Sequence, residues 1–209
     1  MIEGDPAEAP WAAPSLAELP ALFEGFGAAW WVAGGWAIDL HLGRQTRPHG
    51  DLDTALLRRD QPALRTQFSS WDIHVAHDGR LTPWDGDPLE HPRHQFWARP
   101  HPGAPWSLEF LLEDVDVGGH DWLFRRDHRV TMPLSRFGRV SSDGLPYVCP
   151  EVALLYKAKG HDIERNARDF AAALPSLDAG ARAWLRDALT TQQAGHPWLA
   201  RLQPAPPAA

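Results

Sequence analysis

Two acids, Asp51 and Asp53, flank one apolar residue in the run DLDTALL. At the head of a strand, residues i and i+2 share a face, roughly 6–7 Å apart at Cα, and Leu52 turns into the core. Carboxylates held that close repel each other unless a cation lies between them. Hard oxygen donors suit Mg²⁺, which is normally shared with substrate phosphates. Upstream, the apolar run Ala28–Ala33 (AAWWVA) ends in Gly34-Gly35, and helical spacing begins at once. Glycines let a ligand approach the backbone, and a helix N-terminus offers unpaired N–H groups to an anion. A third acid, Glu109, lies inside WSLEFLL on the face of Ser107 and Leu111, while Leu108, Phe110 and Leu112 take the other face. An acid in an apolar strand needs a partner or a metal. With that strand beside Asp51–Leu57, Glu109 faces the pair. It could ligate a metal or take the proton from an acceptor hydroxyl.

These residues need elements to hold them. Ser15, with Glu18 three residues on, caps a helix through Phe26. Ala28–Ala33 reads as a buried strand, Trp36–Leu42 as a helix stopped by Gly43, and Asp51–Leu57 as a second strand. Gln61–Phe68 is a helix and Trp71–Ala76 a strand. Residues 78–105 are Pro-rich loop with two short strands, one of them around Gln95–Ala98. Trp106–Leu112 is a clear strand; Asp127–Thr131 and Tyr147–Cys149 are shorter ones. From Pro150 the texture is helical: Glu151–Lys159, Ile163–Leu174 and Ala179–Thr190. The expected architecture is α+β. A leader (1–14) precedes a mixed-sheet domain (15–149), then come a small helical domain (150–203) and a disordered tail (204–209), with the site in the cleft between the domains.

Composition narrows the function. The 209 residues carry 27 acids and 20 bases, a net charge of −7. That balance opposes bulk DNA or membrane-surface binding and suits metal ions or a cationic ligand. One cysteine, Cys149, excludes a disulfide framework, and the chain shows no signal peptide or membrane span, so a cytoplasmic protein is expected. Eighteen of the 20 bases are Arg, as codon bias would produce; the two Lys are Lys157 and Lys159.

The stretch GGWAIDLHLGRQTRPHGDLD, Gly34–Asp53, closely resembles the signature of the nucleotidyltransferase superfamily. It looks most like the aminoglycoside 2''-adenylyltransferase branch and the related lincosamide nucleotidyltransferases. LLYKAKGHDIERNARDF, within Pro150–Phe170, is a looser match to that branch's Tyr-Lys helix and the acidic helix after it. The resemblance implies the nucleotidyltransferase fold, a mixed β-sheet with flanking helices, plus a small C-terminal helical domain. It puts Gly34 and Gly35 at the nucleotide phosphates, Asp51 and Asp53 on Mg²⁺, and Lys157 at the triphosphate. Glu109 takes the place of the third carboxylate, where many members have Asp; Glu113, Asp114 and Asp116 are rivals for it. Arg44 or Arg47 binds phosphate, or pairs with Asp39 or Asp51 and fixes the loop. The implied reaction is Mg²⁺-dependent transfer of a nucleoside monophosphate, AMP from ATP, to a hydroxyl of a small molecule such as an aminoglycoside-like antibiotic. The alternatives are transfer to a protein or RNA, as in toxin–antitoxin members, or a nucleotide-binding module without turnover. Oligomeric state is not indicated.

Other residues have plainer readings. His91, His94 and His101 include an HPRH spacing that could hold zinc or simply be solvated. Trp30, Trp31, Trp36, Trp106 and Trp184 belong to the core; Trp84, Trp97 and Trp122 could stack on an acceptor. Asp85, Asp87 and Glu90 make an acidic loop. Lys159 is a surface partner for Asp162 or Glu164. His161, Arg165 and Asp169 could line the cleft, and Cys149 is a small core residue.

Overall fold

The computed structural model describes residues 10–161 and 163–203. The first nine residues of the expected leader, the 204–209 tail and Asp162 lie outside the described residues. The strands are β1 (Trp30–Val32), β2 (Asp53–Leu57), β3 (Asp72–His77), β4 (Arg80–Pro83), β5 (Gln95–Arg99), β6 (Leu108–Val115), β7 (Asp121–Leu123), β8 (Thr131–Pro133), β9 (Gly138–Val140) and β10 (Pro146–Val148). They form a mixed sheet in the order β4-β3-β5-β6-β2-β1-β10-β9, with β7 and β8 extending from β6. β2 and β6 run parallel, as do β1 and β10; the other pairs are antiparallel.

Helices α1 (Leu19–Leu22), α2 (Gly34–Leu42), α3 (Pro62–Gln67) and α4 (Leu134–Phe137) interleave with the strands, and α5 (Pro150–Ala158), α6 (Glu164–Ala173) and α7 (Ala179–Gln192) follow. Under one face of the sheet, Phe110 of β6 meets Phe23 and Phe68, and Phe23 stacks on Trp30. α2 packs on both α5 and α6. One continuous apolar core joins Val32, Leu56, Phe110, Trp122, Leu154 and Leu185, so the C-terminal helices are cemented to the sheet.

Several boundaries differ from the expectation. α2 starts at Gly34 rather than Trp36, and Gly34 itself takes φ +61°, which a side chain would resist. It stops at Gly43 in the left-handed conformation, as expected. β2 begins at Asp53, leaving Asp51 on the exposed loop before it. The helix from Ser15 is only a 3₁₀ turn (Leu16–Glu18) running into α1, although the Ser15 amide does donate to Glu18 at 2.8 Å. Within 78–105, Asp78 and Gly79 both have positive φ and close a tight β3–β4 hairpin, a turn that Asp-Gly favours. The strand expected at Asp127–Thr131 is a turn, because Asp127 accepts from the Arg129 amide and side chain; extended backbone resumes at Thr131. Residues 10–12 are not loose: the Trp106 and Ala12 amides bond across to Pro10 and Trp106 carbonyls. Among the described residues no helix is long and apolar enough to cross a membrane.

Candidate active site

The entry to α2 is built from glycines because side chains of the motif occupy the space beside it. A Cβ on Gly34 would lie 1.8 Å from Asp53 Oδ2; one on Gly35 would lie 2.5 Å from both Arg47 Nη2 and the His49 ring. The loop from Gly43 to Gly50 folds back on α2 around buried Asp39. This carboxylate accepts from the Thr46 amide (3.1 Å), the Thr46 hydroxyl (2.5 Å) and His49 Nε2 (2.6 Å), while the His49 ring lies 4.4 Å from that of Trp36. Asp39 therefore fixes the loop that delivers Asp51 and Asp53.

Asp53 and Glu109 are register partners on parallel β2 and β6. Their Cα atoms sit about 4.8 Å apart, with both side chains on one face. Leu52 is fully buried, as its position between the acids required. Burial first, then repulsion from Asp51, raises the Asp53 carboxyl to about 7, against the opposing pull of Lys157, Arg165 and Arg47. Burial and the charges of Asp53 and Asp51 push Glu109 well above the usual carboxylate range. Gln95 Nε2 donates to Glu109 Oε1 at 2.8 Å and orients it.

Asp169 of α6 ties the loop to the helical layer. Arg47 grips it with two bonds (2.8 and 2.9 Å), and Lys157 Nζ approaches Oδ2 at 2.8 Å. Burial alone would raise Asp169; the bonds from Arg47 and Lys157 outweigh it and hold the carboxyl low. Arg47 thus pairs with Asp169, not with Asp39 or Asp51. Arg44 is exposed and lies away from the acids, in a shallow recess with Arg168.

A cavity of about 260 Å³ opens over the acids, lined by Gly34, Asp53, Glu109, Arg125, Tyr156 and Lys157 among others. Gly35, Asp51, Arg44 and Arg47 are outside its lining. Arg125 and Arg126 had no signal in the sequence beyond their charge. They reach the cavity because a turn between β7 and β8 folds over Tyr156, whose ring lies 4.8 Å from the Arg125 guanidinium. Arg125 Nε is buried without a hydrogen-bond partner. The rivals of Glu109 are otherwise engaged. Glu113 accepts from Trp122 Nε1 and the Tyr156 hydroxyl, both at 2.7 Å, and burial lifts it to about 7. Asp114 pairs with Arg58, and Asp116 accepts three amides of its own turn. Trp122, read as a stacking surface for an acceptor, is instead wholly buried on Phe137.

The donor set fits Mg²⁺. Asp53 and Glu109 supply hard oxygens side by side; burial first, and repulsion between the acids second, raise their carboxyls, and a bound cation would offset both. The oxygens of Asp51, Asp53 and Glu109 do not all lie within 4.8 Å of one another. Such an open set suits an ion that keeps waters and phosphate oxygens among its ligands.

The family model for aminoglycoside-2''-adenylyltransferase matches residues 15–83. No curated protein sequence matches the chain. Among the solved structures that match, three illustrate the shared fold. The solution structure of the antibiotic-resistance factor ANT(2'')-Ia is 17% identical, with a TM-score of 0.55 over 86% of this chain and 91% of that one. The crystal structure of ANT(2'')-Ia in complex with adenylyl-2''-tobramycin is 15% identical, with a TM-score of 0.57 over 85% and 96%. The lincomycin-bound lincosamide antibiotic adenylyltransferase LnuA is 17% identical, with a TM-score of 0.53 over 77% and 97%. The chain has the nucleotidyltransferase fold and, from Ser15 through Pro83, resembles the aminoglycoside-2''-adenylyltransferase family.

Proposed function

We propose that this protein is a Mg²⁺-dependent nucleotidyltransferase that moves AMP from ATP to a hydroxyl of a small antibiotic-like molecule. The observation that carries the reading is the in-register pairing of Asp53 and Glu109 above Gly34, at the floor of a cavity walled by Lys157 and Arg125. ANT(2'')-Ia and LnuA, which share the fold, are bound to an adenylylated aminoglycoside and to lincomycin in their structures. That supports a hydroxylated antibiotic as acceptor.

The residues divide the work. Asp51 and Asp53, with Glu109, would hold Mg²⁺, which when bound offsets the charge of the phosphates. Glu109, raised by burial and its acidic neighbours, is suited to take the proton of the acceptor hydroxyl. The freed oxygen attacks the α-phosphorus, the bond to the bridging oxygen breaks, and pyrophosphate leaves. Arg125 and Lys157, which line the same cavity, would offset the charge of the leaving phosphates. Residues 15–149 supply the acids, and 150–203 supply the helices that close the cavity.

The test is pyrophosphate release from Mg·ATP against a panel of aminoglycosides and lincosamides. Release with at least one of them is expected. Tight Mg·ATP binding with no release for any acceptor would favour a silent nucleotide-binding module. Labelled AMP on a protein or RNA band would move the acceptor to a macromolecule.

A further inference from the structure

We infer that His91, Asp114 and His128 form a separate binding site for one divalent ion of the zinc class. One ligand atom from each residue lies within 4.8 Å of the others, and no other such trio occurs among the described residues. Asp114 stands near the end of β6, on the opposite face from Glu109 and Glu113. His91 comes from the loop before β5, and His128 from the turn between β7 and β8. The two rings meet edge to face at 5.8 Å.

The second observation is the state of Asp114. The residue is 8% exposed, and its Oδ2 is buried with no hydrogen bond. His91 Nε2 lies 3.1 Å from that oxygen without the alignment of a hydrogen bond. A bare carboxylate oxygen is costly to bury unless something positive sits on it. Arg58 pairs with the other oxygen, Nε on Oδ1 at 2.6 Å, and leaves Oδ2 without a donor. The Arg58 side chain also donates from Nη1 to the carbonyls of Leu89 (3.1 Å) and Arg93 (2.8 Å), which fastens the His91 loop beside the acid. One ligand is thereby oriented by a fixed partner, the arrangement that supports metal sites. Two imidazoles and a carboxylate with a fourth position open to water match zinc, and the nitrogen donors disfavour Mg²⁺. The HPRH spacing pointed to His91 with His94, but His94 Nδ1 is turned to the Pro92 carbonyl. The ion would clamp the turn in which Arg125 and Arg126, just before His128, line the catalytic cavity.

The experiment uses the full chain without a His tag, stripped by chelator and titrated with Zn²⁺ by calorimetry in millimolar Mg²⁺. One equivalent should bind. His91→Ala and His128→Ala should each weaken binding at least about tenfold; both histidines are exposed, and circular dichroism checks the fold. Asp53→Asn should bind zinc as the wild type does. His128→Cys loaded with Co²⁺ should show a thiolate-to-cobalt charge-transfer band. No zinc uptake by the wild type, uptake unchanged in both alanine variants, or no such band would overturn the proposal.

Discussion

Lys157 and Arg47 share one buried carboxylate: Asp169 Oδ2 takes the Lys157 ammonium at 2.8 Å and Arg47 Nη2 at 2.9 Å. Two cations on one anion leave a surplus positive charge at the wall of the cavity that holds Asp53. Arg47 alone satisfies Asp169 with its paired bonds, so Lys157 can turn to a phosphate without stranding its partner. Lys157→Ala is therefore expected to raise the KM for ATP about tenfold or more, the effect of one charge-assisted hydrogen bond. Lys159 is exposed, and Lys159→Ala should leave KM unchanged. Equal effects of the two substitutions in steady-state kinetics would remove Lys157 from the nucleotide site.

Gly34 has no room for a side chain. Its φ of +61° and the Asp53 oxygen that a Cβ would meet at 1.8 Å act together. Gly34→Ala should cost about 1–3 kcal/mol from backbone strain alone. It should also push Asp53 off its register mate and abolish transfer. Urea unfolding and an activity assay check both; a variant with wild-type stability and turnover would contradict the packing.

Much of this is legible in the sequence alone, and the reason is physical. The i, i+2 spacing of Asp51 and Asp53 forces Leu52 inward, and Glu109 amid LEFLL can only be tolerated beside a partner; both constraints act within a few residues. Whatever depends on distant partners was not legible. Asp169 finds Arg47 across 122 residues. Arg125 and Arg126 enter the site through a turn whose residues carry no periodicity. The burial of Trp122 depends on a partner in another strand, because Glu113, which the sequence offers as a rival third carboxylate, accepts its indole N–H. β7 and β9, three residues each, are set by their neighbours in the sheet rather than by any pattern of their own. The Asp78-Gly79 turn carries a local hairpin signal that reading 78–105 as mostly loop passes over.

The acids should leave a mark on stability. In the folded chain Asp53 keeps its proton up to about 7, against 3.8 for a free Asp. The folded state then holds the extra proton between those values, so the Asp53 contribution is full below about 4 and is lost as pH rises towards 7. Metal-free wild type should therefore lose stability relative to Asp53→Asn over that window. Mg²⁺ should restore it at pH 7.5 and do little at pH 5. Thermal melts with and without Mg²⁺ test this; a Mg²⁺ response of equal size at both pH values would contradict the assignment.

Glu109 and Glu113 lie four residues apart on one strand face yet have different work. Glu113→Gln keeps an oxygen to accept from Trp122 and Tyr156, so turnover should fall less than about tenfold. Glu109→Gln loses the proton acceptor, and kcat should fall about 10²–10⁴-fold with ATP affinity much less affected. Comparable kcat values for the two variants would transfer the role elsewhere.

The most direct measurement follows α-labelled ATP with Mg²⁺ and the acceptor panel, using wild type and Asp53→Asn side by side. The wild type should move the label onto a small-molecule acceptor and release pyrophosphate. Asp53→Asn should move none while unfolding at a midpoint no lower than that of the wild type. Label transfer by a folded Asp53→Asn at the wild-type rate would contradict the central claim that Asp53 and Glu109 form the catalytic site.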